Sequence, residues 1–361
     1  MGTSRHAELG LTVAEAKECV DSHRGKTLDL SELIQISSRK DEEGVVAEVL
    51  SKHDGGLLLN GLPQISSDVA WHLSRHKGAL HLDGLQTLVR GEALHLSHHE
   101  GPLSLDGLAA IQYEAIAELA FSRCSLSLDG LTDLADNDAA RLSHHTADLS
   151  LNGISELSDD AAKSLLRRGG NLSLDGLEKL PLKAFRHVGH IQGALSLNGL
   201  TELSASEADT LGQRCGALSL SGLQELIASN AMKLARVRGD LVLDGLTSLE
   251  EDVAKKLKFH RHRLSLNGLK EISDGAVEHL AEHRGESLSL DGLVELSAKA
   301  SRALSAYRGE VSLKGLKEPL KKSRGKTAKA SRGSSRNRLP GKRDGAGCEA
   351  AHYFRTAGKA A

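Results

Sequence analysis

The sequence predicts an α/β fold of the solenoid type: a right-handed coil of strand and helix units, with one parallel sheet on the concave face and the helices on the convex face. Three observations carry this prediction. Ten glycines, from Gly61 through Gly153 to Gly268, follow one another at intervals of 23 residues, and after one extra residue before Gly292 the beat resumes at Gly315. Within each unit the apolar residues change period, from alternation at Leu149 and Leu151 to spacings of three and four through Leu157, Ala161, Ala162 and Leu165. That is the signature of a strand followed by a helix. A unit of this size cannot bury its own apolar face and must hand it to its neighbours.

Residues 13–24, VAEAKECVDSHR, match the helical half of a unit, with Val20 at the usual leucine site and His23 and Gly25 at its end. No strand is expected before it, so residues 1–27 read as an N-terminal capping helix. Leu28, Leu30 and Leu33 then make the first strand. Here Glu32 replaces the turn glycine, and six additional residues, Ser38 to Glu43, form a charged loop before Val46, Ala47 and Leu50 restore the pattern.

From Leu57 to Tyr307 eleven units follow, each with a strand such as LSLDGL and a helix such as TELSASEADTLGQR. Asn or Asp before glycine signals the turn between them. Ser158 with Asp159 and Asp160 reads as an N-cap with acid in the first turn, and Ser204 with Glu207 as a capping box. At the other end a His or Arg stands two residues before a glycine, as in His76 and Gly78 or Arg214 and Gly216, which is a helix stop signal.

The unit of Gly176 is the weakest: Pro181 opens its helix, Phe185 and Val188 replace Ala and Leu, and His187 and His190 flank them. Local irregularity is expected there. Val311 and Leu313 form the last strand, with Lys314 and Pro319 discouraging further pairing at the sheet edge. Residues 28–316 are thus the solenoid, and residues 317–361 a basic tail without apolar periodicity, expected to be disordered.

The overall net charge of −2 hides a division. Residues 1–316 hold 33 Lys and Arg against 45 Asp and Glu, a net of −12, whereas residues 317–343 hold eleven bases and one acid. The four cysteines, Cys19, Cys124, Cys215 and Cys348, lie in distant units with no metal-ligand or redox spacing, which points to a reducing compartment such as the cytoplasm. Met1 to Val20 has no apolar run of signal-peptide length, and nowhere does an apolar run reach membrane-spanning length. Neither secretion nor a membrane partner is expected.

The combined pattern LxLxGLxxLSDxAAxxLxxHxGxL resembles the leucine-rich-repeat superfamily, and is most similar to its cysteine-containing variety, LxLxxCxxITDxxLxxLAxxC, in a shortened 23-residue, bacterial-type form. On this chain Leu149 and Leu151 take the strand leucines. Leu157, Ser158 and Asp159 take the places of Ile, Thr and Asp, and Leu165 that of the helical leucine. Gly153 and Ile154 stand where that variety has its last spacer and its cysteine, which is a departure. The resemblance spans residues 13 to 316 and implies protein binding on the concave parallel sheet.

Three polar ladders are the candidate functional features. One, three residues before each glycine, includes Ser104, Ser127, Ser150, Ser173, Ser196 and Ser219, read as solvent-facing and as the candidate binding row of the concave face. A second, one before each glycine, runs Asn60, Asp83, Asp106, Asp129, Asn152, Asp175, Asn198, Ser221, Asp244, Asn267 and Asp291. Asp and Asn interchange there, so a side-chain oxygen accepting a backbone N–H within the turn is the favoured reading, with a calcium-stabilised stack as the alternative. The third comprises His23, His53, His76, His99, His145, His260 and His283 at helix ends, read as caps rather than metal ligands because Arg168 and Arg214 substitute for them.

No nucleophile elbow, phosphate loop, zinc motif or dinucleotide fingerprint occurs, so neither an enzyme nor a cofactor or metal is expected. The first expectation is a non-enzymatic protein-interaction scaffold. The alternative is contact with nucleic acid or another anion through the basic tail, by Lys321, Lys322, Arg324, Lys326, Lys329, Arg332, Arg336 and Arg338.

Overall fold

The computed structural model describes residues 10–181, 183 and 193–317. Among them, thirteen strands form one open parallel sheet in strict chain order, from Leu28–Asp29 at one edge to Glu310–Ser312 at the other. Equivalent residues of successive repeats stand side by side, Leu126 beside Leu149 and Leu149 beside Leu172. Order in the chain and order in space are the same, which is the strand-and-helix solenoid with one parallel sheet expected from the repeat.

Most strands have only two ladder residues, such as Leu149–Ser150, and are shorter than the LSLDGL segments suggest. The chain turns back at once, because the N–H of Ile154 bonds to the carbonyl of Leu151 across the glycine turn at 3.3 Å. A seven-residue helix such as Asp159–Leu165 then returns along the other side. Leu149, Leu151, Ile154, Ala161 and Leu165 are all fully buried between the two layers. Each leucine so enclosed contributes about 2 kcal/mol of apolar burial, and the enclosure is completed by the repeats on either side.

The caps follow the sequence. Ser158 accepts the N–H of Ala161 at 2.9 Å, and Ser204 and Glu207 exchange both bonds of a capping box at 3.3 and 2.7 Å. The N-terminal helix Val13–Ser22 has its own box between Thr12 and Glu15 and buries Ala16. A strand-like contact does precede it, since Leu11 bridges to Ser37. The charged insertion is a 3₁₀ turn, Lys40–Glu42, that leads directly into the helix Glu43–Ser51. The irregularity expected beyond Pro181 lies outside the described residues, Lys183 excepted.

The glycines differ from expectation in their reason. Among the described residues positive φ occurs only at Gly10 and at Gly25, which follows the first helix, so the glycines after the later helices are not left-handed caps. They are required by contact between repeats. A Cβ on Gly78 would stand 2.1 Å from the carbonyl oxygen of Gly55, and one on Gly153 would stand 2.0 Å from that of Asp129. The beat of glycines that sets the register is therefore a row of close backbone approaches along the stack.

Candidate functional site

The sheet face is built from residues that alternate with the buried leucines, and its polar rows are joined from repeat to repeat. Asp129 shows the unit of this network. Its Oδ1 accepts the hydroxyl of Ser150 at 2.6 Å and the backbone N–H of Asn152 at 2.8 Å, and its Oδ2 accepts the amide of Asn152 at 3.0 Å. The same two bonds to Oδ1 recur from Asp106 to Ser127 and Asp129, from Asn152 to Ser173 and Asp175, from Asp175 to Ser196 and Asn198, and from Asn198 to Ser219 and Ser221. Asp83 likewise holds Ser104 and the N–H of Asp106.

Two expectations are corrected by this geometry. The Asp/Asn row does supply an oxygen to a backbone N–H, but to the next repeat and not within its own turn. The serine row does not stand free in solvent: Ser104, Ser173, Ser196 and Ser219 are buried, and Ser127 and Ser150 are half-buried, each donating to the preceding repeat. Asp and Asn interchange because both present an acceptor at Oδ1.

A signal for this pairing lies in the sequence. Serine stands three before the glycine wherever the preceding repeat offers Asp or Asn, except at His81, and it gives way where that repeat offers only serine: Leu58 follows Ser31 and Val242 follows Ser221. No side-chain bond from Ser221 to the N–H of Asp244 forms, because a serine side chain is one atom too short. The double variant Ser221→Asn, Val242→Ser should close this gap and stabilise the chain by about 1 kcal/mol. Urea unfolding checks it, and a double variant no more stable than either single one would show that the ladder does not act as a unit.

Burial pushes the carboxyl of Asp129 above the usual range, whereas Asp83, beside His81 and bonded by Ser104 and Asp106, is held below it. Among the described residues no group of three His, Cys, Asp or Glu converges where an ion could sit. The oxygens on which the calcium reading relied are already hydrogen-bond acceptors.

The histidine row is also not what its position at helix ends suggests. His23 is exposed, but His53, His76, His99, His145, His260 and His283 are buried inside the stack, and Ser122, Arg168, Arg214, Val237 and Tyr307 occupy the same place in other repeats. The rings lie one above another, His53 to His76 at 6.3 Å between centroids and 4° between planes, and His76 to His99 at 6.1 Å and 10°. Three of the rings reach carbonyls of the loops before the strands and not the end of their own helix: His53 Nε2 lies 2.7 Å from Lys26 O, His99 Nε2 3.1 Å from Gly78 O and His145 Nε2 3.2 Å from Asp148 O, while His283 Nδ1 meets the hydroxyl of Tyr307 at 3.1 Å. Arg214 does the same, donating to Gly193 O at 2.7 Å, as does Tyr307 to Gly285 O.

Loss of hydration pushes His145, His260 and His283 down to about 4, so these imidazoles are neutral at neutral pH. His76 and His99 are lowered for the same reason. Removal from water at this site also lowers Arg214 to about 10. The row is thus a buried polar spine in which His53, His99, His145, Arg168, Arg214 and Tyr307 satisfy loop carbonyls, and arginine can replace histidine in it because both are donors.

Exposed aromatic and large apolar groups lie on the helix side: Trp71, Leu94, Tyr113, Phe121 and Phe259. A groove of about 510 Å³ opens there between two repeats, lined by Trp71, Arg75, Lys77, Leu94, His98 and Glu100, with the Arg75 guanidinium 3.6 Å above the Trp71 ring. The basic tail residues Lys321 to Arg338 lie outside the described residues. No helix among the described residues is long and apolar enough to cross a membrane.

No protein-family model and no curated protein sequence matches the chain. Among solved structures it is similar to an internalin from Listeria monocytogenes, with 15% identity, a TM-score of 0.42, and coverage of 81% of this chain and 88% of that one. It is also similar to a leucine-rich-repeat protein from Leptospira interrogans, with 17% identity, a TM-score of 0.41, and coverage of 84% and 87%. A chain of the Toll–Spatzle complex from Drosophila matches at 16% identity and a TM-score of 0.44, with this chain spanning 42% of its length.

Proposed function

We propose that this solenoid is a non-enzymatic interaction scaffold whose sheet face receives a protein partner. The observation that carries the reading is the continuous polar row of that face, fixed by hydrogen bonds between repeats from Asn60 to Asn198. At ~4.8 Å per strand the thirteen strands line roughly 60 Å of surface. A surface held this way loses little conformational freedom on binding, which favours recognition.

Its catalytic prospects are poor on the same grounds. The serines and carboxylates bond to one another in a repeating row and do not converge with a base and an oxyanion site. Cys19, Cys124 and Cys215 are free thiols in distant repeats, which suits the cytoplasm.

The test uses Ser125, exposed at the start of its strand and on the same side of the sheet as Ser127. Arg263 occupies the equivalent position in another repeat, so the fold accommodates Ser125→Arg. Affinity capture with the full chain should enrich a discrete protein, and Ser125→Arg together with Pro102→Arg, at the equivalent exposed position of the preceding repeat, should abolish that enrichment while leaving the melting curve unchanged. Equal enrichment by both proteins would place the contact elsewhere.

A further inference from the structure

Rows of like charge run along parts of both long edges of the solenoid. Asp133, Glu156, Glu202, Glu225, Glu271 and Glu295 are exposed at one position of the turn after the strand. The opposite edge, where the helices end, carries exposed cations among acids such as Glu100, Glu282 and Glu286. In the last four repeats one position of that edge is arginine without interruption: Arg238, Arg261, Arg284 and Arg308, all exposed.

The spacing of this row follows from the buried spine directly beside it. His260, His283 and Tyr307 immediately precede three of the four arginines, and their rings are 5.9 and 6.0 Å apart. The arginines thus rise in single file at about the same interval. None of the four is in an ion pair with a described carboxylate, although Glu286 and Glu310 stand two residues on from Arg284 and Arg308. The nearby Glu282 is taken by Lys258 at 2.6 Å, and Asp209 by Arg236. Phe259 is exposed within the row, with Lys258 Nζ 5.6 Å and the Arg284 guanidinium 4.9 Å from its ring centre.

Helix dipoles explain a cation in the last turn of a helix, such as Lys255 and Lys256. They do not explain four arginines three or four residues beyond the helix ends, in consecutive repeats of a body whose net charge is negative. We propose that this edge binds single-stranded nucleic acid, with Arg238, Arg261, Arg284 and Arg308 each meeting a phosphate and Phe259 offering a stacking surface to a base.

Three features select this ligand. A single file of cations at one interval matches the one phosphate row of an extended single strand, where a duplex presents two. Arginine, and not lysine, occupies every position, and its planar fork bonds two phosphate oxygens at once. An aromatic ring among the cations offers a base a surface to stack on. This site is independent of the sheet face and of the basic tail.

The experiment measures the anisotropy of a fluorescein-labelled oligo(dT) strand against full-length protein over a range of salt. Four chains are compared: the wild type, the fourfold Arg→Ala variant at 238, 261, 284 and 308, Phe259→Leu, and a tail variant with Lys321, Lys322, Arg324 and Lys326 changed to Gln. Loss of four phosphate contacts should weaken binding about 100-fold near ~0.1 M salt and reduce the slope of log K against log salt by about 3. Phe259→Leu should weaken binding several-fold without changing that slope. Thermal melting of the fourfold variant should be unchanged, since all four side chains are exposed. The proposal is overturned by a wild type that does not bind, by a tail variant that alone loses binding, or by polyglutamate that competes for the edge more tightly than oligo(dT).

Discussion

Lowering the pH from neutral to about 4.5 should remove on the order of 8 kcal/mol of stability and unfold the chain, through His145, His260 and His283 alone. Each has a folded pKa of about 4, against an ordinary value of 6.5. Between these two values the unfolded chain binds protons that the folded chain refuses, so stability is full above about pH 6.5 and falls as the pH drops toward 4. A typical folded domain has roughly 5–15 kcal/mol to lose.

Asp129, Asp148 and Asp240, whose carboxyls burial raises, act in the opposite direction, but only in the carboxylate range below most of the histidine window. The check is a circular-dichroism titration of the wild type and of His260→Leu, a substitution for which Val237 at the same place in the preceding repeat is the precedent. The acid midpoint should move to lower pH in the variant. An identical midpoint would mean that the buried spine does not govern acid unfolding.

Gly153→Ala should cost about 3 kcal/mol or more, while Gly169→Ala should be neutral or slightly stabilising. The first places a methyl 2.0 Å from the backbone oxygen of Asp129 and also crowds the carbonyl of Leu131, neither of which can rotate away. The second meets nothing within 4 Å, and its backbone is not left-handed. Because a solenoid is coupled only through neighbouring repeats, Gly153→Ala should also broaden the urea transition by separating the two halves of the stack. A single sharp transition at the wild-type midpoint would show that the close approach at the glycine row is not a constraint.

The apolar residues were legible in the sequence because their period depends only on local geometry. Leu149 and Leu151 point one way from a strand, Ala161 and Leu165 lie on one side of a helix, and Ser158 and Ser204 cap the helices through bonds three residues long. The polar rows were less legible. Alternation correctly put Ser150 on the face opposite Leu149, yet it could not say that the hydroxyl there is held by Asp129, 21 residues earlier.

The same holds for His99, whose place after a helix suggested a cap and whose ring instead reaches Gly78 O. The arginines from Arg238 to Arg308 form a row only when equivalent positions are stacked side by side. By itself the sequence determined the repeat length, the strand–helix unit, the buried leucines and the parallel order of the stack, since these follow from short-range periodicity and from the need of a small unit for neighbours. The tertiary structure alone decided which polar side chains are buried, which carbonyls they satisfy and where the charges gather. Those outcomes depend on atoms one repeat away, and that distance is set by how closely the backbones approach at the glycine row.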